Sequence, residues 1–292
     1  MSKIGIATDS HSGITPAMAM DMNVRVLPMP FYVDEECFYE EVSITRKEFF
    51  EQLNADKQVS TSQPSPEAVM EFWREALKDY DELIYMPMSS GLSGSCGTAM
   101  MLAQDEEFEG KVFVVDNGRI STPLVRSIMD AQEMVEEGLS AAKIKEILEA
   151  EKEKMSIYIA VETLEFLKKG GRISPATAAL GSVLNIKPIL KLGVSLLDTY
   201  KKSRGMKKAK KEMLEAIQYD FDVTFKEYHD KGEAYLLVAT SADEETTAAW
   251  VEEVKAAFPG MEVLVTNLSL GICCHTGEGA LGVGISCKPK RF

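Results

Sequence analysis

Leu83-Ile84-Tyr85-Met86-Pro87-Met88-Ser89-Ser90-Gly91-Leu92-Ser93-Gly94-Ser95-Cys96-Gly97-Thr98-Ala99-Met100-Met101-Leu102-Ala103 joins an apolar run to a helix-forming run through serines and glycines. The run 83–88 reads as a buried strand and 98–103 as the start of a helix. A strand-to-helix turn of this kind aims free backbone N–H groups and the positive end of a helix dipole at one point. Glycine lets the backbone approach a ligand, and serine supplies a rotatable donor. The loop therefore suits a phosphate or a carboxylate. It reads equally as a Gly/Ser-rich βα loop that binds nothing.

The same alternation extends to both sides. Residues 4–8 read as a first strand ending in Asp9-Ser10, where Asp9 is explained by a cap and turn better than by a ligand. Residues 24–31 read as a second strand, and 32–40 as an excursion turning around Asp34-Glu35-Glu36. Thr45 and Glu48 form a capping-box pattern. In Ser60-Thr61-Ser62-Gln63-Pro64-Ser65-Pro66, Ser65 is a helix cap and Pro66 fits the first turn, which leaves three further hydroxyls unexplained. Residues 111–116 read as another strand, followed by helices from about 124 and 140. Strands alternating with helices predict a mostly parallel sheet with helices on both faces.

The charged run 149–154 marks the expected boundary, giving an N-terminal α/β domain over 1–154 and a C-terminal α/β domain with a mixed sheet over 155–292. In the second part a strand at 156–161 leads to a helix ending at Gly170-Gly171. Arg172 follows on a loop, and Ser174-Pro175 opens a helix expected over 176–183. Residues 186–192 and 194–200 read as two strands turning at Gly193. Helices from about 206 and from 244, with strands at 234–240 and 262–266, continue the pattern.

The chain has 292 residues, 45% hydrophobic and 27% charged, in the range of a globular protein. A formal net charge of −14 argues against broad nucleic-acid binding. No run of eighteen apolar residues predicts a membrane span, and the first residues lack a signal-peptide core. Five scattered cysteines make no disulfide framework, so a reducing cytoplasm is the expected setting.

Three hydroxyl/glycine loops stand out, at 60–65, 89–95 and 275–279. His275 in the third raises a Ser/His nucleophile–base pair, hence a lipid acyl hydrolase or transferase. No G-x-S-x-G elbow accompanies it and no third triad member can be named. Cys273-Cys274-His275 fits no common zinc spacing if it lies on a strand, where adjacent side chains point to opposite faces. No P-loop and no G-x-G-x-x-G is present, and no cofactor is expected. Lys201, Lys202, Arg204, Lys207, Lys208, Lys210 and Lys211 form a basic cluster in an acidic chain. It reads as a solvated helix face or as a dock for an acidic partner or a phosphate, with Arg172.

Thr-Ser-Gln-Pro-Ser at 61–65, Ser-Ser-Gly-Leu-Ser-Gly at 89–94, Leu-Lys-Lys-Gly-Gly-Arg-Ile-Ser at 167–174, Ile-Lys-Pro-Ile-Leu at 186–190 and His-Thr-Gly-Glu-Gly-Ala-Leu-Gly at 275–282 resemble the motifs of the DegV family, in the same order and over nearly the whole chain. The resemblance implies a bacterial lipid-binding protein rather than an enzyme, with two α/β domains and a long-chain fatty acid buried between them. Its implied partner is a separate fatty acid kinase that makes an acyl phosphate for phospholipid synthesis. No membrane span is expected, with at most a transient membrane contact. Thr61 and Ser93 match the family's carboxylate-binding hydroxyls, with Ser62, His275 and Thr276 alongside. Arg172 and Arg204 match basic positions suited to the kinase or the phosphate. The chain departs from the family pattern at Asn185, at Glu278 and at Ser121-Thr122-Pro123-Leu124-Val125, so pocket shape and acyl preference are not implied.

Overall fold

The computed structural model describes residues 2–179, 186–192 and 196–292. The chain divides into two compact units, Met1–Glu153 with Pro289–Phe292, and Lys154–Lys288. The boundary expected between 154 and 155 differs from this by one residue. The last four residues group with the first unit rather than the second. Local chemistry explains this: the Arg291 guanidinium pairs with Glu137 at 3.0 Å, and Lys143 lies over the Phe292 ring.

The first unit holds strands β1 (Ile4–Asp9), β2 (Arg25–Leu27), β3 (Phe31–Val33), β4 (Glu36–Phe38), β5 (Val59–Thr61), β6 (Glu82–Met86) and β7 (Val112–Val114). Four of them form a parallel sheet in the order β2-β1-β6-β7. Residues 83–86 of β6 are all buried, as an unbroken apolar run requires. Trp73 anchors this core, meeting Tyr85 and Phe108 edge-on. The single strand expected over 24–31 is two strands instead. Pro28 and Pro30 fall between β2 and β3, and neither can donate to a ladder. The chain then leaves the parallel sheet and builds an antiparallel sheet, β4-β3-β5, whose hairpin turns at Asp34 with φ +54°. That excursion delivers Thr61 at the end of β5, in register with Phe31.

The second unit holds β8 (Met155–Ala160), β9 (Ile186–Leu192), β10 (Leu197–Arg204), β11 (Ala234–Thr240), β12 (Val263–Asn267) and β13 (Leu281–Cys287). They form one mixed sheet, β10-β9-β8-β13-β11-β12, in which only β11 and β12 run parallel. Trp250 is fully buried against it and donates to the Gly282 carbonyl at 3.1 Å. The strand expected over 194–200 extends to Arg204, so Arg204 ends a strand rather than opening a helix. The expected turn at Gly193 lies outside the described residues, as do residues 180–183 of the helix expected after Ser174. Pro175–Ala178 is its described part.

β13 runs between two partners, and small residues let them close in. A Cβ on Gly284 would stand 2.6 Å from the Ser156 carbonyl oxygen, a backbone atom that cannot swing away. Gly284→Ala is expected to cost about 1–3 kcal/mol through this overlap and to lower the melting temperature by several degrees. An unchanged thermal transition would show that the sheet relaxes freely there.

Candidate functional site

The hydroxyl loops of the first unit have distinct jobs once their hydrogen bonds are followed. In 60–65, Ser65 caps the helix Pro66–Ala76 by accepting from the Ala68 N–H, as expected. Ser62 is exposed and donates to the Gln63 carbonyl at 3.1 Å. Thr61 is half-buried at the strand end.

The 89–94 loop is held from below. The Ser89 N–H donates to the Arg119 carbonyl at 2.8 Å, and Ser90 donates through its hydroxyl to Asp116 at 2.6 Å. Ser93 accepts from the Ser95 N–H at 3.2 Å. A hydroxyl that accepts from behind keeps its own proton for a ligand, so Ser93 can donate to one. The helix that follows, Ser95–Leu102, begins at Gly94, which has no side chain to cap it; the Ser95 N–H is taken by Ser93, and an anion at this end would meet the N–H groups after it.

Gln63 brings the two loops together. Its Oε1 accepts from the Thr98 hydroxyl at 3.2 Å and stands 3.4 Å from where a Cβ on Gly94 would lie. Residues 61–63 and 93–98 are thereby tied within one unit. Gln63 was not a candidate in the sequence, although it sits in the middle of the Thr-Ser-Gln-Pro-Ser motif. Asp9 is fully buried and accepts from the N–H groups of His11 and Met88 at 2.9 and 2.8 Å, a structural latch between β1 and the end of β6.

In the second unit, 270–276 form a helix, Leu270–Thr276, capped by Ser269. Cys273, Cys274 and His275 therefore do not lie on a strand as expected; the Ser269 cap was the missed signal. Both cysteines are buried and in no disulfide. Thr276 is buried and turns its hydroxyl back onto the carbonyls of Ile272 and Gly277, each at 3.3 Å. His275 is half-buried, and Glu278 is exposed to solvent. Ser241, which sequence reasoning missed, fixes this loop: its hydroxyl donates to the Gly277 carbonyl at 2.7 Å and accepts from the Ala280 N–H at 2.9 Å. Among the described residues, no three His, Cys, Asp or Glu side chains gather in a metal-binding cluster.

The two arginines stand apart. Arg172 is half-buried, and its guanidinium donates to the Gly170 carbonyl at 2.5 Å. Ile173 bridges to Leu197 at the start of β10, whereas Arg204 is exposed at its far end. Seven residues of strand put about 20 Å between those ends. Four of the seven basic residues are ion-paired, with three carboxylates between them. Lys201 and Lys208 pair with Glu212, Lys210 with Glu253 and Lys211 with Glu215. Burial would raise the Glu212 carboxyl, yet the Ser203 hydroxyl and the two lysines outweigh it and hold it below its ordinary value. Lys202, Arg204 and Lys207 are exposed and have no ion pair among the described residues.

The model for a family described as "Uncharacterised protein, DegV family" matches residues 3–288. The chain belongs to the DegV family. A DegV domain-containing protein of Deinococcus radiodurans is 30% identical over 283 residues, covering 97% of this chain and 98% of its own. Protein DegV of Bacillus subtilis is also 30% identical, covering 96% of this chain and 98% of its own. Among solved structures, a DegV family protein from Thermus thermophilus, described for fatty acid binding, superimposes with a TM-score of 0.85 at 33% identity, over 98% of this chain and 99% of that one. DegV of Bacillus subtilis, described as a fatty acid binding protein, gives 0.82 at 28% identity over 99% and 100%. The DegV chain described here thus shares the α/β architecture of both: a parallel four-stranded sheet in the first unit and a mixed six-stranded sheet in the second.

None of the five cysteines of this DegV family member is in a disulfide, and only Cys37 is exposed. Burial, with the Asp116 charge adding to it, pushes the Cys96 thiol up to about 12. Iodoacetamide on the native protein is therefore expected to alkylate Cys37 alone, and all five in urea, as read by intact mass. Rapid native labelling of a second site would mean that the buried thiols are accessible. Among the described residues no helix is long and apolar enough to cross a membrane.

Proposed function

We propose that this protein binds a long-chain fatty acid, with the carboxylate hydrogen-bonded by Thr61 and Ser93, and serves a separate fatty acid kinase rather than catalysing a reaction itself. The observation that carries the reading is the Ser93 hydroxyl, which accepts from the Ser95 N–H at the start of a helix, keeps its own proton for a ligand and is tied to the Thr61 strand end through Gln63. Neutral donors at a helix N-terminus hold a carboxylate without a buried cation. The fatty acid binding described for the Thermus and Bacillus proteins supports the same ligand class. The family resemblance adds Ser62, His275 and Thr276 to the carboxylate set. Ser62 and Thr276 contribute less to polar recognition in this reading, because their hydroxyls already donate to backbone carbonyls.

About fifteen buried methylenes at roughly 0.8 kcal/mol each give about 12 kcal/mol gross. The tail supplies affinity, and the hydroxyls supply orientation. For the kinase, the exposed and uncompensated Lys202, Arg204 and Lys207 fit an acidic docking surface, and Arg172 is a second candidate for the kinase or the phosphate. Cytoplasmic action fits five thiols in no disulfide.

Mass spectrometry of an organic extract of the purified protein tests the ligand. A stoichiometric fatty acid is the expected result. Absence of lipid together with no measurable palmitate affinity would overturn the reading. Turnover of a chromogenic ester that is lost in Ser93→Ala would favour an acyl hydrolase instead.

A further inference from the structure

The pair Gly170-Gly171 ends the helix Glu165–Gly170, and its two glycines have different reasons to exist. Gly171 has φ +68°, a left-handed cap that favours glycine. Gly170 lies outside the left-handed region, at a helical position where alanine is the better helix former. Its reason lies across the fold. A Cβ on Gly170 would stand 2.0 Å from Nδ1 and 2.6 Å from Cε1 of His275, so the imidazole occupies the space of the missing side chain. The contact is reciprocal. A Cβ on Gly277, at φ +72°, would stand 2.9 Å from Cδ2 of Phe166. Each segment lays a ring on the other's glycine. The two glycine carbonyls close the arrangement: that of Gly170 accepts from Arg172, and that of Gly277 from Ser241.

We propose that Gly170 is a positioning residue whose bare backbone seats the His275 imidazole and whose carbonyl holds Arg172, so that both side chains are set by one residue. As far as the ligand is concerned this rests on the fatty-acid reading above; the seat itself does not. An imidazole whose Nδ1 edge abuts the Gly170 backbone has few rotamers left, which fixes where its ring nitrogens point. Any added methyl displaces the ring, because the obstructing atoms belong to the ring itself and not to a flexible chain end.

The test is a double-mutant cycle of Gly170→Ala and His275→Ala, followed by melting temperature, imidazole NMR signals and palmitate affinity. In the wild-type background Gly170→Ala is expected to shift the His275 ring resonances, lower the melting temperature and weaken palmitate binding about as much as His275→Ala does. In the His275→Ala background the same substitution should cost little stability and no further affinity. If Gly170→Ala alone does not fold, folding of the double variant supports the seat, and failure of both overturns it. Equal melting losses in the two backgrounds, or unshifted imidazole signals, would also overturn it. If the melting temperatures couple but His275→Ala binds palmitate as wild type does, the seat stands and the ligand role of His275 falls.

Discussion

Replacing Ser93 by Ala and Thr61 by Val together is expected to lower long-chain fatty-acid affinity about a hundredfold or more, in a chain that stays folded. In the proposed site each hydroxyl would donate to a charged acceptor, worth roughly 1.5–3 kcal/mol. Ser93→Ala alone should then cost about ten- to a hundredfold. The pair should cost less than the full sum, because both donors serve one carboxylate and neighbouring sites couple. Residual binding should persist, since tail burial is untouched by either change. Ligand-free stability is the control. Ser93 and Thr61 are only half-buried, and neither is a helix cap. Calorimetric titration with palmitate and a thermal melt of the delipidated protein separate the two effects. Full affinity in the double variant would show that the carboxylate sits elsewhere. Equal loss of affinity and melting temperature would show that the hydroxyls support the fold instead.

Neutralising Lys202, Arg204 and Lys207 together is expected to cut acyl phosphate formation by an added fatty acid kinase about tenfold or more, with fatty-acid affinity within about twofold of wild type. The three charges are exposed and lack ion pairs among the described residues, so their removal leaves no buried partner stranded. The dependence of rate on salt should flatten as well, because exposed charges act over a Debye length of about 8–10 Å. Arg172→Ala should behave differently. Its guanidinium is bonded to the Gly170 carbonyl, and its backbone bridges to the start of β10, so a change there disturbs the His275 seat too. Loss of fatty-acid binding and melting temperature in the triple variant would assign the lysines and Arg204 to the fold. An unchanged kinase rate would remove this face as the dock.

Local chemistry made much of this protein legible. Thr45 with Glu48, Ser65 with Pro66, Ser140 and Ser174 cap helices where their hydroxyls and spacing indicate. A cap depends on three or four neighbouring residues, so the sequence carries its cause. The parallel first sheet followed from strands alternating with helices. The hydroxyls at 89–94 follow β6, a strand of the parallel sheet, whereas those at 61–65 follow β5 of the antiparallel sheet, a placement the sequence did not indicate. The helix at 270–276 was misread because its small residues have little apolar periodicity, although Ser269 announces it. The strand expected over 24–31 was misread because Pro28 and Pro30 interrupt an otherwise apolar run.

What the tertiary structure decided is which distant groups meet. Gln63 and Thr98 lie 35 positions apart, and their hydrogen bond joins two hydroxyl loops that the sequence showed separately. Ser241 holds a loop 36 positions away. The basic cluster looked uniform in the chain, but Glu212, Glu215 and Glu253 pair with four of its lysines and leave three charges with no ion pair among the described residues. Gly170 shows the limit most directly. Its neighbour Gly171 is explained by its own backbone angle, a local property. Gly170 is explained only by an imidazole 105 positions further along the chain. Sequence patterns encode conformational preference, whereas shared space is set by packing, and packing exists only once the chain has folded.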